Sequence, residues 1–311
     1  MKLALLFPGQ GSQAVGMGKD AFDASPAAQA VYFAADGALG ETLSDLCFAG
    51  PEDALRLTAN TQPALVATSI ALLELLKERC PGLLERVSFA AGHSLGEYSA
   101  LVACGALALP DAIRLVRIRG RAMQDAVPPG VGAMAALMGL SREVVAQICE
   151  DEGQGEVVAP ANFNGGQIVI AGHAGAVKRA MTRAAAEKGK AIALPVSAPF
   201  HCSLMAPAAK VMATHLEQVT VGALHFPVVA NVDAAPNRDP ARVKDLLVRQ
   251  IDGVVRWEET VRVLAAEGVT HALEVGPGKV LAGLVRRIDR SIEVLPACDV
   301  PSIEAAAKAL A

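Results

Sequence analysis

Residues 87–104 read Val87-Ser88-Phe89-Ala90-Ala91-Gly92-His93-Ser94-Leu95-Gly96-Glu97-Tyr98-Ser99-Ala100-Leu101-Val102-Ala103-Cys104. An apolar run, Val87 to Ala91, stops at a Gly-x-Ser-x-Gly cluster, and a helical segment, Glu97 to Cys104, follows and closes at Gly105. A strand that turns abruptly into a helix needs a strained bend, and glycines two before and two after Ser94 leave room for it. Such an elbow exposes a serine hydroxyl at the top of an α/β sheet, so the stretch predicts both an architecture and a nucleophile.

Working outward, Leu3 to Phe7 is another uninterrupted apolar run, ended by Pro8-Gly9, as expected of a parallel strand buried on both faces. Gln62 to Lys77 reads as a buried helix with Pro63 in its first turn, and Asp111 to Ala126 as a helix stopped by Pro128-Pro129-Gly130. Beyond that boundary the order becomes strand (133–140), helix (141–150), strand (156–162), strand (167–171), helix (175–188), strand (191–196). This βαββαβ order is the ferredoxin-like pattern. Alternation resumes afterwards: a helix from Ser203, a strand at 227–231, helices at 243–250 and 257–267, a strand at 271–275 and a helix from Lys279. The expected fold is an α/β-hydrolase-like parallel-sheet body, residues 1–128 and 197–311, with a small ferredoxin-like subdomain, 129–196, inserted as a lid over a cleft.

The 311 residues are 52% hydrophobic, 19% charged and 4% aromatic, with a formal charge of −4. That balance excludes a disordered tail or coiled coil and makes nucleic acid and membrane surfaces poor partners. Cys47, Cys80, Cys104, Cys149, Cys202 and Cys298 form no CxxC pair, which argues against a zinc ribbon or disulfide framework and for a reducing, cytoplasmic setting. No metal site and no membrane span is expected.

A serine hydroxyl needs a base. Of six histidines, His93 adjoins Ser94 and suits a wall of the site; His215 and His225 are accounted for as surface or core residues, and His173, in a lid loop within reach of the cleft, has nothing to recommend it. His201 lies in an irregular loop where the chain returns from lid to body, and His271 heads a strand. The order Ser94, Asp233 or Asp252, His271 satisfies a plain hydrolase, whereas His201 lacks an obvious acid and needs another orienter. Two further features bear on that choice. On the 111–126 helix, Ala112, Leu115, Val116, Ala122 and Met123 share a face with Arg119, while Arg114, Arg117 and Arg121 point the other way. A guanidinium on an apolar face either snorkels to solvent or needs an anion, a fixed Asp or Glu or a substrate carboxylate. In Phe7-Pro8-Gly9-Gln10-Gly11-Ser12-Gln13 the Gly9-x-Gly11-x-x-Ala14 spacing weakly matches a dinucleotide fingerprint; the same loop can present backbone N–H groups as an oxyanion hole.

Phe7 to Gln13, Gly92 to Ser99, Arg119-Gly120, Phe200-His201, Asn231-Val232-Asp233 and Glu274-Val275-Gly276-Pro277-Gly278 together resemble the malonyl-CoA:acyl carrier protein transacylases of type II fatty-acid synthesis, nearly end to end. The resemblance implies a Ser94–His201 dyad, with His201 oriented by the main-chain carbonyl of Gln250 in place of an acid. It implies an oxyanion hole from the Gln10 and Leu95 amides, Arg119 holding the malonyl carboxylate, and His93 and Asn162 lining the pocket. Phe200 before the base looks like the malonyl-accepting version of that position. Malonyl-CoA would be the substrate, and the phosphopantetheine of a holo acyl carrier protein the acceptor, with no permanently bound cofactor and the chain expected as a monomer. Polyketide acyltransferases and the malonyl-transferring subunit of malonate decarboxylase would retain most of these residues. Lys188, Lys190, Arg286 and Arg287 are candidates for carrier docking, equally accounted for as solvated faces.

Overall fold

All five residues of β1 (Leu3–Phe7) are buried, and they face two cores. Leu3, Leu5 and Phe7 pack on one side of the sheet, Ala4 and Leu6 on the other. A strand covered on both faces has no reason to alternate with polar residues, which accounts for its sequence. The computed structural model describes residues 2–196 and 198–310.

After β1 come α1 (Lys19–Ala24), α2 (Pro26–Leu39), α3 (Leu43–Ala49), α4 (Glu52–Arg56), α5 (Thr58–Arg79), α6 (Leu83–Arg86), β2 (Val87–Gly92), α7 (Gly96–Ala103) and α8 (Leu109–Asp125). The lid follows: β3 (Gly132–Met138), α9 (Arg142–Gly153), β4 (Val158–Phe163), β5 (Gln167–His173), α10 (Ala174–Ala186) and β6 (Lys190–Ala193). The body resumes with a short 3₁₀ turn (Ser203–Met205), α11 (Ala206–Glu217), β7 (Val228–Ala230), β8 (Ala235–Asn237), α12 (Pro240–Asp252), α13 (Trp257–Ala266), β9 (His271–Val275), α14 (Val280–Ile288), β10 (Glu293–Ala297) and α15 (Val300–Leu310).

The large sheet has the order β10-β9-β1-β2-β7-β8 and is parallel except for the edge pair β7–β8. The lid sheet, β4-β5-β3-β6, is antiparallel throughout, the ferredoxin-like order. The junction expected between 196 and 197 involves Ser197, which lies outside the described residues. Lid and body are joined by hydrogen bonds: Val255 N–H donates to Ala161 O at 2.9 Å, and Phe163 N–H to Val255 O at 2.9 Å. Arg142 of α9 adds ion pairs to Glu258 and Glu259 of α13 at 2.8 and 2.5 Å.

Three expectations need correction. Helix α5 begins at Thr58, so Pro63 lies inside it and not in its first turn. Nearly every residue from Thr61 to Leu76 is buried, and that burial outweighs one lost backbone bond. Arg117 does not point to solvent: it is 7% exposed, its guanidinium bonded to Glu41 and Asn60. Helix α8 packs against α2, α5 and α11, so more than one of its faces is covered, and a single-stripe reading misplaces Arg117. Strands β8 and β10 and helix α15 were not expected, because short, half-exposed edge strands such as Glu293–Ala297, with Pro296 inside, carry little periodic signal.

Candidate active site

Ser94 stands between β2 and α7 with φ +52°, a left-handed conformation that costs a non-glycine residue about 1–3 kcal/mol. The bend closes only because its flanks lack side chains: a β-carbon on Gly92 would fall 1.9 Å from the carbonyl carbon of Gly96, and one on Gly96 would fall 2.2 Å from the Phe7 oxygen. Asn231, just past β7, ties the turn, accepting from the Ser94 N–H at 2.7 Å and donating to the Gly92 carbonyl at 2.7 Å.

His201 lies across the cleft, 4% exposed and also left-handed at φ +61°. Its Nδ1 is 2.9 Å from the Gln250 main-chain oxygen, which can only accept, so Nδ1 carries the proton. Nε2 is thereby an acceptor, and Ser94 Oγ lies 2.7 Å from it. Burial first, and the positive charge of Arg119 second, push the imidazole down to about 3, with the Gln250 carbonyl opposing. The ring is neutral at physiological pH and able to receive a proton.

Arg119, 1% exposed in the middle of α8, donates to the Gln62 side-chain oxygen, to Ser94 Oγ and to the Gln250 side-chain oxygen, each at 2.9 Å. Among the described residues no Asp or Glu forms an ion pair with it. Glu97, 3% exposed in the first turn of α7, is a carboxyl whose charge acts on Arg119 without a direct bond. Its Oε2 accepts from the Asn231 N–H at 2.9 Å and the Gln250 side-chain nitrogen at 2.7 Å. Burial pushes its carboxyl up to about 7 against the pull of those bonds and of Arg119.

These groups open onto a cavity of about 260 Å³ between body and lid. Gln10, Leu95, His93, Asn162 and Phe200 line it together with Ser94, His201 and Arg119, and Gln250 lies behind His201. Among the described residues the Gln10 and Leu95 amides donate to no protein acceptor, the condition of an oxyanion hole. His93 is bonded to Asn164 at 3.0 Å, and burial lowers its basicity. Met123, Met134, Val169 and Leu194 supply an apolar wall.

The rival arrangements fail on geometry. His271 pairs with Leu3 at the amino end of the sheet, whereas Ser94 lies beyond its carboxyl end, so a strand length of about 13 Å separates them. Asp233 is taken by Arg242 and Arg249, and neither it nor Asp252 lines the cavity. After Gly9-x-Gly11 no helix begins until Lys19, so the loop does not open directly into a helix as the dinucleotide fingerprint requires. His173 accepts from the Val157 N–H and stays in the lid.

Sequence reasoning gave no role to Gln62, Glu97, Asn164 or Asn231. Gln62 carried the signal that found Arg119, a polar residue within a buried helix. Glu97 and Asn231 fall within motifs that carry the resemblance but were given no role of their own, Glu97 because it reads equally as a helix-dipole residue.

A strained elbow serine bonded to a neutral histidine at the carboxyl edge of a parallel sheet, beside a buried cation that forms no ion pair with an Asp or Glu among the described residues, is the arrangement of a serine-dependent enzyme of acyl chemistry. The chain belongs to the acyl transferase domain family, whose model matches residues 4–307. It is 46% identical over 311 residues to the malonyl CoA-acyl carrier protein transacylase of Escherichia coli (strain K12), covering 98% of each chain. It is likewise 46% identical over 313 residues to that of Bacillus subtilis (strain 168), covering 99% of this chain and 97% of that one. Among solved structures, the acyl-carrier-protein-S-malonyltransferase of Bartonella henselae superposes with a TM-score of 0.97 at 48% identity, over 100% of this chain and 99% of the other. A malonyl-transacylase in complex with its type II polyketide acyl-carrier protein does so at 0.96 and 43%, over 99% and 100%.

Proposed function

We propose that this chain transfers the malonyl group of malonyl-CoA to the phosphopantetheine thiol of a holo acyl carrier protein through a malonyl ester on Ser94. The observation that carries the reading is the buried guanidinium of Arg119, 2.9 Å from the nucleophile and, among the described residues, in no ion pair with an Asp or Glu. An enzyme for neutral acyl groups has no use for a buried cation there, whereas a malonyl carboxylate satisfies it.

In the first half-reaction Ser94 Oγ passes its proton to His201 Nε2 and attacks the thioester carbonyl. The oxyanion faces the Gln10 and Leu95 amides. The carbon–sulfur bond breaks, and the CoA sulfur leaves as a thiol with the proton from Nε2. The carrier thiol then repeats the steps in reverse order. Gln250 holds His201 in the required tautomer. His93, Asn162 and Phe200 shape the pocket, and Phe200 restricts room for a branch at the α-carbon. The acceptor class follows from the relatives: the names of the E. coli and B. subtilis enzymes specify an acyl carrier protein, and one solved neighbour is in complex with a type II polyketide carrier. Among the described residues no helix is long and apolar enough to cross a membrane.

Intact mass spectrometry after incubation with malonyl-CoA, then with fatty-acid and polyketide holo carriers in parallel, tests the reading. A malonyl adduct is expected on the parent chain and none on Ser94→Ala, with discharge to the preferred carrier; a full-yield adduct on Ser94→Ala excludes the assignment.

A further inference from the structure

A guanidinium has five N–H bonds, and those of Arg119 are unevenly engaged. Nη2 donates to Ser94 Oγ and to the Gln250 side-chain oxygen, which accounts for both of its hydrogens. Nη1 donates to Gln62, and the buried Nε has no acceptor among the described residues. A carboxylate can take a guanidinium fork-on-fork along two edges, Nη1 with Nη2 or Nε with Nη2, because the side-chain stem covers the third. Either edge requires an Nη2 hydrogen, so one present acceptor must yield. The Gln250 amide is anchored at its nitrogen by the Ser94 carbonyl at 3.0 Å and Glu97 at 2.7 Å. Ser94 Oγ turns about a single bond and keeps His201 as a partner. The serine oxygen is the acceptor that gives way.

We propose that Arg119 restrains the nucleophile as well as binding substrate, and that the carboxylate of the incoming acyl group, by claiming the Nη2 hydrogen Ser94 Oγ accepts, releases that hydroxyl for attack. The inference rests on the malonyl reading above and adds a trigger to it. A hydroxyl whose lone pair is held by a cation is a poorer nucleophile, and the charge of Arg119 is one of the causes holding His201 down. Pairing with a carboxylate relieves both. An acetyl group, lacking the carboxylate, meets a restrained serine and a weakened base, so discrimination falls on the acylation rate and not only on binding.

The test divides the substrate in two. Acetyl-CoA and sodium formate together supply the parts of a malonyl group cut at one carbon–carbon bond. Acetylation of Ser94, followed by quenched-flow intact mass spectrometry, should accelerate saturably with formate by roughly tenfold, the scale of one charge-assisted hydrogen bond. Sodium chloride at equal ionic strength should have no effect, and an Arg119→Ala variant should not respond to formate. The wild-type chain alone decides the matter: formate should also compete with malonyl-CoA, and acetylation unmoved by formate overturns the proposal whether or not that competition is seen. Failure of the underlying reading looks different, because malonyl-CoA itself then leaves Ser94 unmodified.

Discussion

Glu97 shows how one side chain can hold a site without touching substrate. Its Oε2 accepts from Asn231, which fixes the elbow, and from Gln250, which faces Arg119 with its side chain and His201 with its main chain. The cost is a buried carboxylate. With a folded value near 7 against 4.5 for the free group, the native state keeps a proton between those values that the unfolded chain releases. Glu97 therefore supports folding most below about pH 4.5 and loses that contribution as pH rises through 7. His201 works in the opposite sense, its lowered value withdrawing stability as pH falls below 6.5. Glu97→Gln keeps an oxygen for both donors and removes the charge. Its stability relative to the parent chain should climb by about 2–3 kcal/mol between pH 5 and pH 8 in denaturant unfolding, and a gap that stays flat with pH contradicts this account. Arg119 was legible in the sequence because a cation on an apolar helix face violates a strong rule. Glu97 was not, because an acid in a helix's first turn obeys one.

At the scale of elements, the elbow depends on three backbones meeting: the end of β1, the end of β2 and the start of α7. His93 N–H donates to the Phe7 carbonyl at 3.0 Å, and Gly96 packs on that same carbonyl. Because the obstacle to a β-carbon at Gly96 is main chain, no rotamer change relieves it. Gly96→Ala is expected to cost at least about 2–3 kcal/mol in unfolding free energy and to suppress acylation of Ser94, measured by denaturant titration and intact mass on the same preparation; a variant with parental stability and adduct yield contradicts the packing described. Element positions were mostly legible, since β1, β2 and the lid follow plain periodicities. The second buried arginine of α8 was not, because its face is covered by α2 and α5, which the helix's own sequence cannot report.

For the whole molecule, the cavity exists because the lid is registered on the body. The two hydrogen bonds between β4 and Val255 carry Asn162 to the pocket wall, and Arg142 reinforces the joint by pairing with Glu258 and Glu259 and stacking 4.1 Å from the Phe163 ring centre. These charges are partly solvated, so Arg142→Ala should change global stability by no more than about 1 kcal/mol. The amides of Phe163 and Val255 should nevertheless exchange several-fold faster in hydrogen-exchange mass spectrometry, and unchanged exchange there means that the backbone bonds hold the joint alone. The sequence by itself determined the alternating body, the inserted βαββαβ unit, the strained serine and an arginine in need of an anion, because each follows from periodicity, glycine spacing or a broken burial rule within one segment. The resemblance names His201 and the Gln250 carbonyl; only the tertiary structure put His201, and not His271, within hydrogen-bond reach of Ser94, laid the Gln250 carbonyl against its Nδ1 and set Arg119 on the Ser94 hydroxyl. Those outcomes depend on strand register and on which loops meet at one end of the sheet, and groups 107, 49 and 25 residues apart become neighbours only when the chain has folded.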